Sequence, residues 1–257
     1  MSDDAFAPPF RRAGASSAVV LALFVGLLVA SLARLAVTGP GRKPLEAILT
    51  PLGLSLAAAG LATLLAALLG IPAGLYLART RTPGAFLGLL LDIPLVLSPV
   101  AIGTALLLFL RDPPGLWLEQ ALGVTFRFPG VVLAQFTVVL ALVVRTATAA
   151  FAQADLTWEK HAATYGATRW FILTRVTLPA AKPGLAAGLV LAFARALGEF
   201  GATVTVAGTI PGRTETLATG LYLALAAGEL RLAAQLALVL VLVAVVVLAA
   251  IRRWERR

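Results

Sequence analysis

The sequence contains no cysteine, one histidine and three lysines among its 257 residues. The absence of cysteine excludes disulfides, thiolate metal sites and a cysteine nucleophile. The lone His161 is a poor metal site without further ligands, and it lies outside the apolar segments, which excludes a Ser-His-Asp hydrolase with its histidine inside a membrane. No Gly-x-x-x-x-Gly-Lys-Ser/Thr motif is present, so the chain has no P-loop for ATP.

Charge is scarce as well. Only 13% of the residues are charged and 60% are hydrophobic, with a mean hydropathy of +0.95. This composition excludes a disordered chain and argues against a soluble globular domain. The net charge is +9, but the basic residues are scattered singly between apolar runs. That pattern favours membrane topology over nucleic-acid binding. We therefore predict an integral membrane protein in contact with lipid and without a nucleic-acid partner.

Six apolar segments reach the length of about 20 residues that a helix needs to cross a bilayer. They are residues 15–37, 52–77, 85–110, 131–151, 183–207 and 232–251. We predict an all-α polytopic membrane protein in which residues 1–257 form one domain with six transmembrane helices. The first segment also resembles a signal peptide, because basic residues precede it and small residues end it, but its length favours a transmembrane helix.

The number and direction of the spans depend on two further features. Residues 217–227 are apolar but too short to span, which indicates a re-entrant or interfacial segment. With six spans, Lys and Arg are more frequent in the loops on the side of the N-terminus than on the opposite side. The positive-inside rule then predicts that both termini are cytoplasmic.

The longest polar insert, residues 152–182, is predicted to form two short cytoplasmic helices. Asp155 or Thr157 can cap the first helix, and Gly166 can end it in a left-handed turn. Thr168 can cap the second helix, which we expect to stop at Pro179 and Pro183 before the next span. Two interpretations remain open: an amphipathic loop on the lipid surface, or a docking element for another subunit.

Charged residues inside the predicted spans are candidates for function. Arg195 and Glu199 are four residues apart and share a helix face. They either neutralise each other for helix packing or lie beside the path of an anion. Asp92 is expected at the cytoplasmic rim of the third span, where Pro94 and Pro99 can kink the helix.

The insert resembles the loop motif of ABC importer permeases. Gly166, nine further residues and the run from Val176 to Pro179 match the Gly and Leu-Pro parts of that motif. Its Glu-Ala-Ala positions are instead occupied by residues 160–162, Lys-His-Ala, and Glu159 stands one place early.

Three other segments are similar to permeases of molybdate and tungstate importers, and also to sulfate permeases. Residues 193–203 and 207–217 resemble the fifth-helix segment of that family, and residues 91–103 resemble its third-helix segment. Together with the loop, the resemblance covers most of residues 52–222.

The resemblance implies the type I ABC importer permease arrangement and the import of an oxyanion, molybdate or tungstate, with sulfate as the alternative. It implies a homodimer in the cytoplasmic (inner) membrane, two ABC ATPase subunits and a periplasmic or extracellular oxyanion-binding protein. The chain would not be an enzyme: ATP and Mg²⁺ would bind the ATPase, and this chain would carry no cofactor, metal or catalytic residue.

The resemblance also implies which residues act. The expected contacts with the ATPase are Trp158, Glu159, His161, Ala162, Tyr165, Gly166, Ala167, Arg169, Trp170 and Pro179. The expected translocation path or gate is formed by Arg195, Glu199, Phe200, Gly201 and Thr203. The alternatives from other classes are a free-standing channel or secondary transporter with an Arg195–Glu199 relay, and a membrane scaffold that recruits a partner through the loop.

Overall fold

The computed structural model describes residues 8–39, 44–80 and 83–255, and all regular elements in these ranges are helical. The helices are α1 (Pro8–Thr38), α2 (Glu46–Arg79), α3 (Pro83–Val96), α4 (Pro99–Phe109), α5 (Gly115–Leu122), α6 (Phe128–Gln153), α7 (Leu156–Thr164), α8 (Arg169–Ile172), α9 (Leu178–Leu197), α10 (Gly201–Ala207), α11 (Leu217–Ala226) and α12 (Leu230–Glu255). A π-helical turn, Leu173–Thr177, joins α8 to α9. The predicted all-α fold is confirmed.

Five helical stretches are long and apolar enough to cross a membrane, and a bent helix pair would make a sixth. The five are residues 19–38, 46–79, 128–153, 169–197 and 230–247, and the pair is residues 88–96 with 99–109. Helix α11 is apolar but has only 10 residues, in keeping with the predicted short segment.

The third span differs from the single helix predicted over residues 85–110. Helix α3 ends at Val96, and α4 leaves it at an angle of 118° after Pro99. Ser98 is extended, with φ −64° and ψ 145°, which is the conformation favoured before a proline. The Ser98 hydroxyl accepts a hydrogen bond from the Ala101 N–H at 3.3 Å, so it caps a new helix.

The fifth span also differs from its prediction, at both ends. The helix does not stop at Pro179 but continues from Arg169 to Leu197. Within the π-helical turn the Leu178 N–H bonds to the Leu173 carbonyl, five residues back, so the longer turn accommodates the proline that follows. At the other end the helix breaks before Gly201, and α10 forms a separate short segment.

The centre of the bundle is formed by α2, α6 and α9, which approach closely at small residues. A Cβ at Gly74 of α2 would lie 2.6 Å from the Ala147 Cβ of α6. A Cβ at Gly188 of α9 would lie 2.3 Å from the Thr146 hydroxyl. Small residues at such crossings allow apolar helices to pack through backbone contact. Helix α7 follows the C-terminal end of α6, and the break in the fifth span follows the C-terminal end of α9.

Candidate coupling surface and intramembrane ion pairs

The segment between α6 and α9 begins with the short capped helix α7, as predicted, whereas the second helix, α8, is capped at Thr168 but continues through the π-helical turn into α9. The Asp155 carboxylate accepts a hydrogen bond from the Thr157 N–H at 2.8 Å and caps α7. Hydrogen bonds from Thr157 lower the pKa of the Asp155 carboxyl below its ordinary value. Thr168 caps α8 by accepting from the Phe171 N–H at 3.3 Å.

Gly166 ends α7 in a left-handed conformation, with φ +79°. The Gly166 N–H bonds to the Ala163 carbonyl and the Ala167 N–H bonds to the Ala162 carbonyl, both at 3.0 Å. These two bonds form a Schellman motif, which fixes the direction in which α8 leaves α7. The turn is therefore a defined corner and holds the two helices in one relative orientation.

The predicted contact residues divide into an exposed set and an inward-facing one. The aromatic side chains are exposed: Tyr165 by 89%, Trp170 by 73% and Trp158 by 68%. His161, Gly166, Arg169 and Pro179 are exposed as well, and Ala162 and Ala167 are half-buried. Exposed large aromatic side chains in one short segment are candidates for an interaction site. We call Trp158, Tyr165, Trp170 and Phe171 the aromatic surface.

Glu159 faces the bundle and does not form part of the aromatic surface. Its carboxylate forms an ion pair with Arg79 at the end of α2 and accepts a hydrogen bond from the Thr177 hydroxyl at 2.9 Å. One side chain therefore connects α7 to α2 and to the π-helical turn.

The break between α9 and α10 is built around the predicted Arg195–Glu199 pair, which is present. Arg195 Nη1 lies 2.6 Å from one Glu199 oxygen, and the other oxygen accepts from the Ala202 N–H at 3.0 Å. The cation lies at the C-terminal end of α9 and the carboxylate at the start of α10, so both suit the helix dipoles. The Glu199 side chain is 1% exposed, whereas that of Arg195 is 40% exposed.

The remaining predicted path residues lie in the interior of the protein. Phe200 is half-buried, with its ring centroid 4.8 Å from that of Tyr222. Thr203 is fully buried and its hydroxyl has no hydrogen-bond partner within the described ranges. A Cβ at Gly201 would lie 2.9 Å from the Pro99 Cβ. The break in the fifth span therefore contacts the break in the third.

A second intramembrane ion pair joins α3 to α6 and was missed by the sequence analysis. Arg145 donates from Nε and Nη2 to the two oxygens of Asp92. Asp92 is therefore paired with a cation from another helix, and its side chain is 18% exposed. A signal was present, because Asp92 and Arg145 are single opposite charges in two predicted spans, and such charges need partners. No local spacing joins them, since they are 53 residues apart.

The family model of the binding-protein-dependent transport system inner membrane component matches residues 70–257. The chain belongs to this family. The matched region begins within α2 and includes α7, α8, both helix breaks and both intramembrane ion pairs.

The chain is similar in sequence to individual permeases and in fold to a solved transporter chain. The molybdenum transport system permease protein ModB of Escherichia coli K12 is 42% identical over 167 residues, which are 62% of this chain and 73% of that protein. The chloroplastic sulfate permease 2 of Chlamydomonas reinhardtii is 42% identical over 152 residues, 58% of this chain and 41% of its own. A bacterial ABC transporter that imports alginate contains a chain of the same fold, with a TM-score of 0.72 at 18% identity over 96% of this chain and 97% of that one.

Proposed function

We propose that this family member is the membrane-spanning subunit of an ATP-driven importer of molybdate or tungstate. Its similarity to the Escherichia coli molybdenum permease extends over 167 residues, against 152 residues for the sulfate permease at the same identity of 42%. The longer match favours molybdate as the first anion to test. Sulfate is the alternative substrate, since tetrahedral oxyanions of similar size offer a pore similar contacts.

The energy for transport comes from a separate subunit in this proposal. The sequence has no P-loop, so ATP and Mg²⁺ would bind a partner ATPase. The observation that carries the proposal is the aromatic surface, which is exposed and yet held to the membrane helices through Glu159. A lipid-surface loop does not need such a connection, whereas a subunit that transmits force does.

The complete transporter would contain two copies of this chain, two ATPase subunits and an external oxyanion-binding protein. Each ATPase would contact the aromatic surface together with His161, Ala162, Gly166, Ala167, Arg169 and Pro179. The complex would lie in the cytoplasmic membrane with both termini of this chain inside. Closure of the ATPases would move α7, and the Glu159 contacts would pass that movement to α2 and α9.

The adjoining breaks in the third and fifth spans are the proposed gate. Short helices on either side of a break can reorient without unfolding a whole span. Arg195, Glu199, Phe200, Gly201 and Thr203 all lie at or beside this position. Arg195 would attract the anion, because its side chain is the most exposed charged group there, while Glu199 would hold the two helix ends together.

ATPase activity in proteoliposomes tests this proposal. The chain is co-expressed with its ATPase, and binding protein loaded with molybdate, tungstate or sulfate is added in turn. We expect stimulation by loaded binding protein, strongest with molybdate or tungstate. Stimulation by sulfate alone would select the sulfate alternative. A chain that forms no complex with an ATPase but conducts ions by itself would be a free-standing transporter.

A further inference from the structure

The exposed face of α6 has an unusual composition for a membrane helix. From Phe128 to Val144 no side chain of α6 is exposed, whereas Arg145, Ala149, Ala152 and Gln153 are. Positions 145, 149 and 153 lie on one face, because residues four apart are neighbours on a helix. The neighbouring helix α2 exposes leucines such as Leu68 and Leu69 about one helical turn from the level of Arg145.

With the midpoint of α6 taken as the midplane of the bilayer, Arg145 lies within the hydrocarbon core. Helix α6 has 26 residues, which makes it about 39 Å long, and Arg145 lies about 7 Å from its midpoint. Half of the hydrocarbon core is about 15 Å thick. The Arg145 side chain is 62% exposed. A guanidinium at that depth is too costly to face lipid, so its open side must face water or protein.

The pairing of Arg145 leaves part of its hydrogen-bonding capacity available. A guanidinium has five N–H donors in a planar fork. Nε and Nη2 face Asp92, so one further edge, that of Nη1, can receive an oxygen of an anion. Asp92 also compensates part of the positive charge. A transport site must attract an ion without trapping it, and a partly compensated cation satisfies that need.

We infer that Arg145 is an anion-binding residue of the translocation path, and that the face formed by Arg145, Ala149 and Gln153 is its water-filled exit to the cytoplasm. This inference deepens the proposed function and rests on it. The path then has two cationic positions. Arg195 lies at the helix break, and Arg145 lies nearer the end of α6 that leads into α7. The ligand is a tetrahedral oxyanion such as molybdate.

The register of the helices places Arg145 and Arg195 at different depths. Gly184 and Gly188 of α9 lie against Ala150 and Thr146 of α6, so the helices run antiparallel. Arg195 is seven residues beyond Gly188, which places it about 10 Å deeper along α9. A cation at each level would let an anion pass from one to the other.

Cysteine accessibility tests the electrostatics of this face, since the natural chain has no cysteine to remove. Ala149→Cys places a thiol one helical turn from Arg145. Its rate of reaction is measured in the assembled complex with a negatively charged and a positively charged methanethiosulfonate reagent. Leu69→Cys on α2 is the control for a lipid-type surface, because Leu69 is exposed on a leucine face about one helical turn from the level of Arg145.

We expect Ala149→Cys to react with both reagents and Leu69→Cys with neither. Adding Arg145→Gln should lower the ratio of the anionic to the cationic rate about three- to tenfold, and adding Asp92→Asn should raise it. Arg145→Lys should keep the ratio and still reduce molybdate uptake about tenfold, because lysine lacks the fork. Loss of packing alone would not shift the two ratios in opposite directions.

Two results would overturn the inference. One is an Ala149→Cys thiol that reacts with neither reagent, which would mean that protein covers this face. The other is a rate ratio that Arg145→Gln leaves unchanged. A wild-type complex that shows the expected labelling but imports no oxyanion would instead contradict the proposed function, so the two failures are distinguishable.

Discussion

Removing the positive partner of the Arg195–Glu199 pair should be far more costly than removing the negative one. Glu199 is 1% exposed, so Arg195→Met leaves a carboxylate in the interior with only the Ala202 N–H as a partner. Breaking a buried pair in this way costs about 3–5 kcal/mol of unfolding free energy. Glu199→Gln leaves Arg195, which is 40% exposed and can be hydrated. We expect that variant to lose about 1 kcal/mol.

The double variant Arg195→Met with Glu199→Gln separates stability from function. Its glutamine oxygen can still accept from the Ala202 N–H, and no charge remains buried. We therefore expect its unfolding free energy to lie within about 2 kcal/mol of the wild type. If Arg195 attracts the anion, transport should nevertheless stay impaired in the double variant.

The assay is reversible unfolding in mixed micelles with increasing dodecyl sulfate, run on all four proteins as a double-mutant cycle. Uptake of molybdate is measured on the same preparations. The reasoning is refuted if Arg195→Met costs less than about 1 kcal/mol, or if Glu199→Gln costs as much as Arg195→Met. The first result would mean that water reaches the carboxylate freely, and the second that the unequal burial of the two side chains does not set the cost of losing each one.

Three further predictions concern packing, docking and pH. Gly74→Ala should destabilise the fold by about 1–3 kcal/mol in the same assay, because the new Cβ would lie 2.6 Å from that of Ala147, whereas Gly53→Ala, with nothing within 4 Å, should not. Tyr165→Ala should leave stability unchanged, since the side chain is 89% exposed, and should weaken ATPase binding measured by co-purification. The lowered pKa of Asp155 should stabilise α7 above the ordinary carboxyl pKa of about 4. That stabilisation is lost as the pH falls through the lowered pKa, so amide hydrogen exchange in α7 should accelerate over that pH range. The Asp155→Asn variant should show no such acceleration.

Features that depend on a few neighbouring residues could be predicted from the sequence. The caps at Asp155 and Thr168 and the left-handed turn at Gly166 are such features, because each is fixed within six residues. The Arg195–Glu199 pair was predictable for the same reason, since helix geometry brings residues four apart together. The number of apolar segments followed from bilayer thickness.

Features that depend on the neighbours of a helix could not be predicted. Pro94 and Pro99 signalled a kink, but proline alone does not determine whether a span bends slightly or turns by 118°. Pro179 predicted a helix end, but the π-helical turn before it lets the helix continue through the proline. Asp92 and Arg145 meet only because α3 packs on α6.

The orientation of the Glu159 side chain could not be predicted from the sequence either. Its place beside the loop motif suggested an outward contact with the ATPase, yet it faces Arg79 and Thr177. Both partners come from distant parts of the chain, so only the folded bundle shows that this carboxylate connects the loop to the membrane helices. Its role in the proposed transporter is transmission.

Uptake of radiolabelled molybdate into proteoliposomes tests the central claim most directly. The wild-type chain is compared with one in which residues 165–171 are replaced by a Gly/Ser linker, each reconstituted with the ATPase and loaded binding protein. We predict uptake by the wild type only when the ATPase is supplied with ATP and Mg²⁺, and no uptake by the linker variant, which lacks most of the aromatic surface. Uptake without ATP, or ATP-driven uptake by the linker variant at the wild-type rate, would contradict the account.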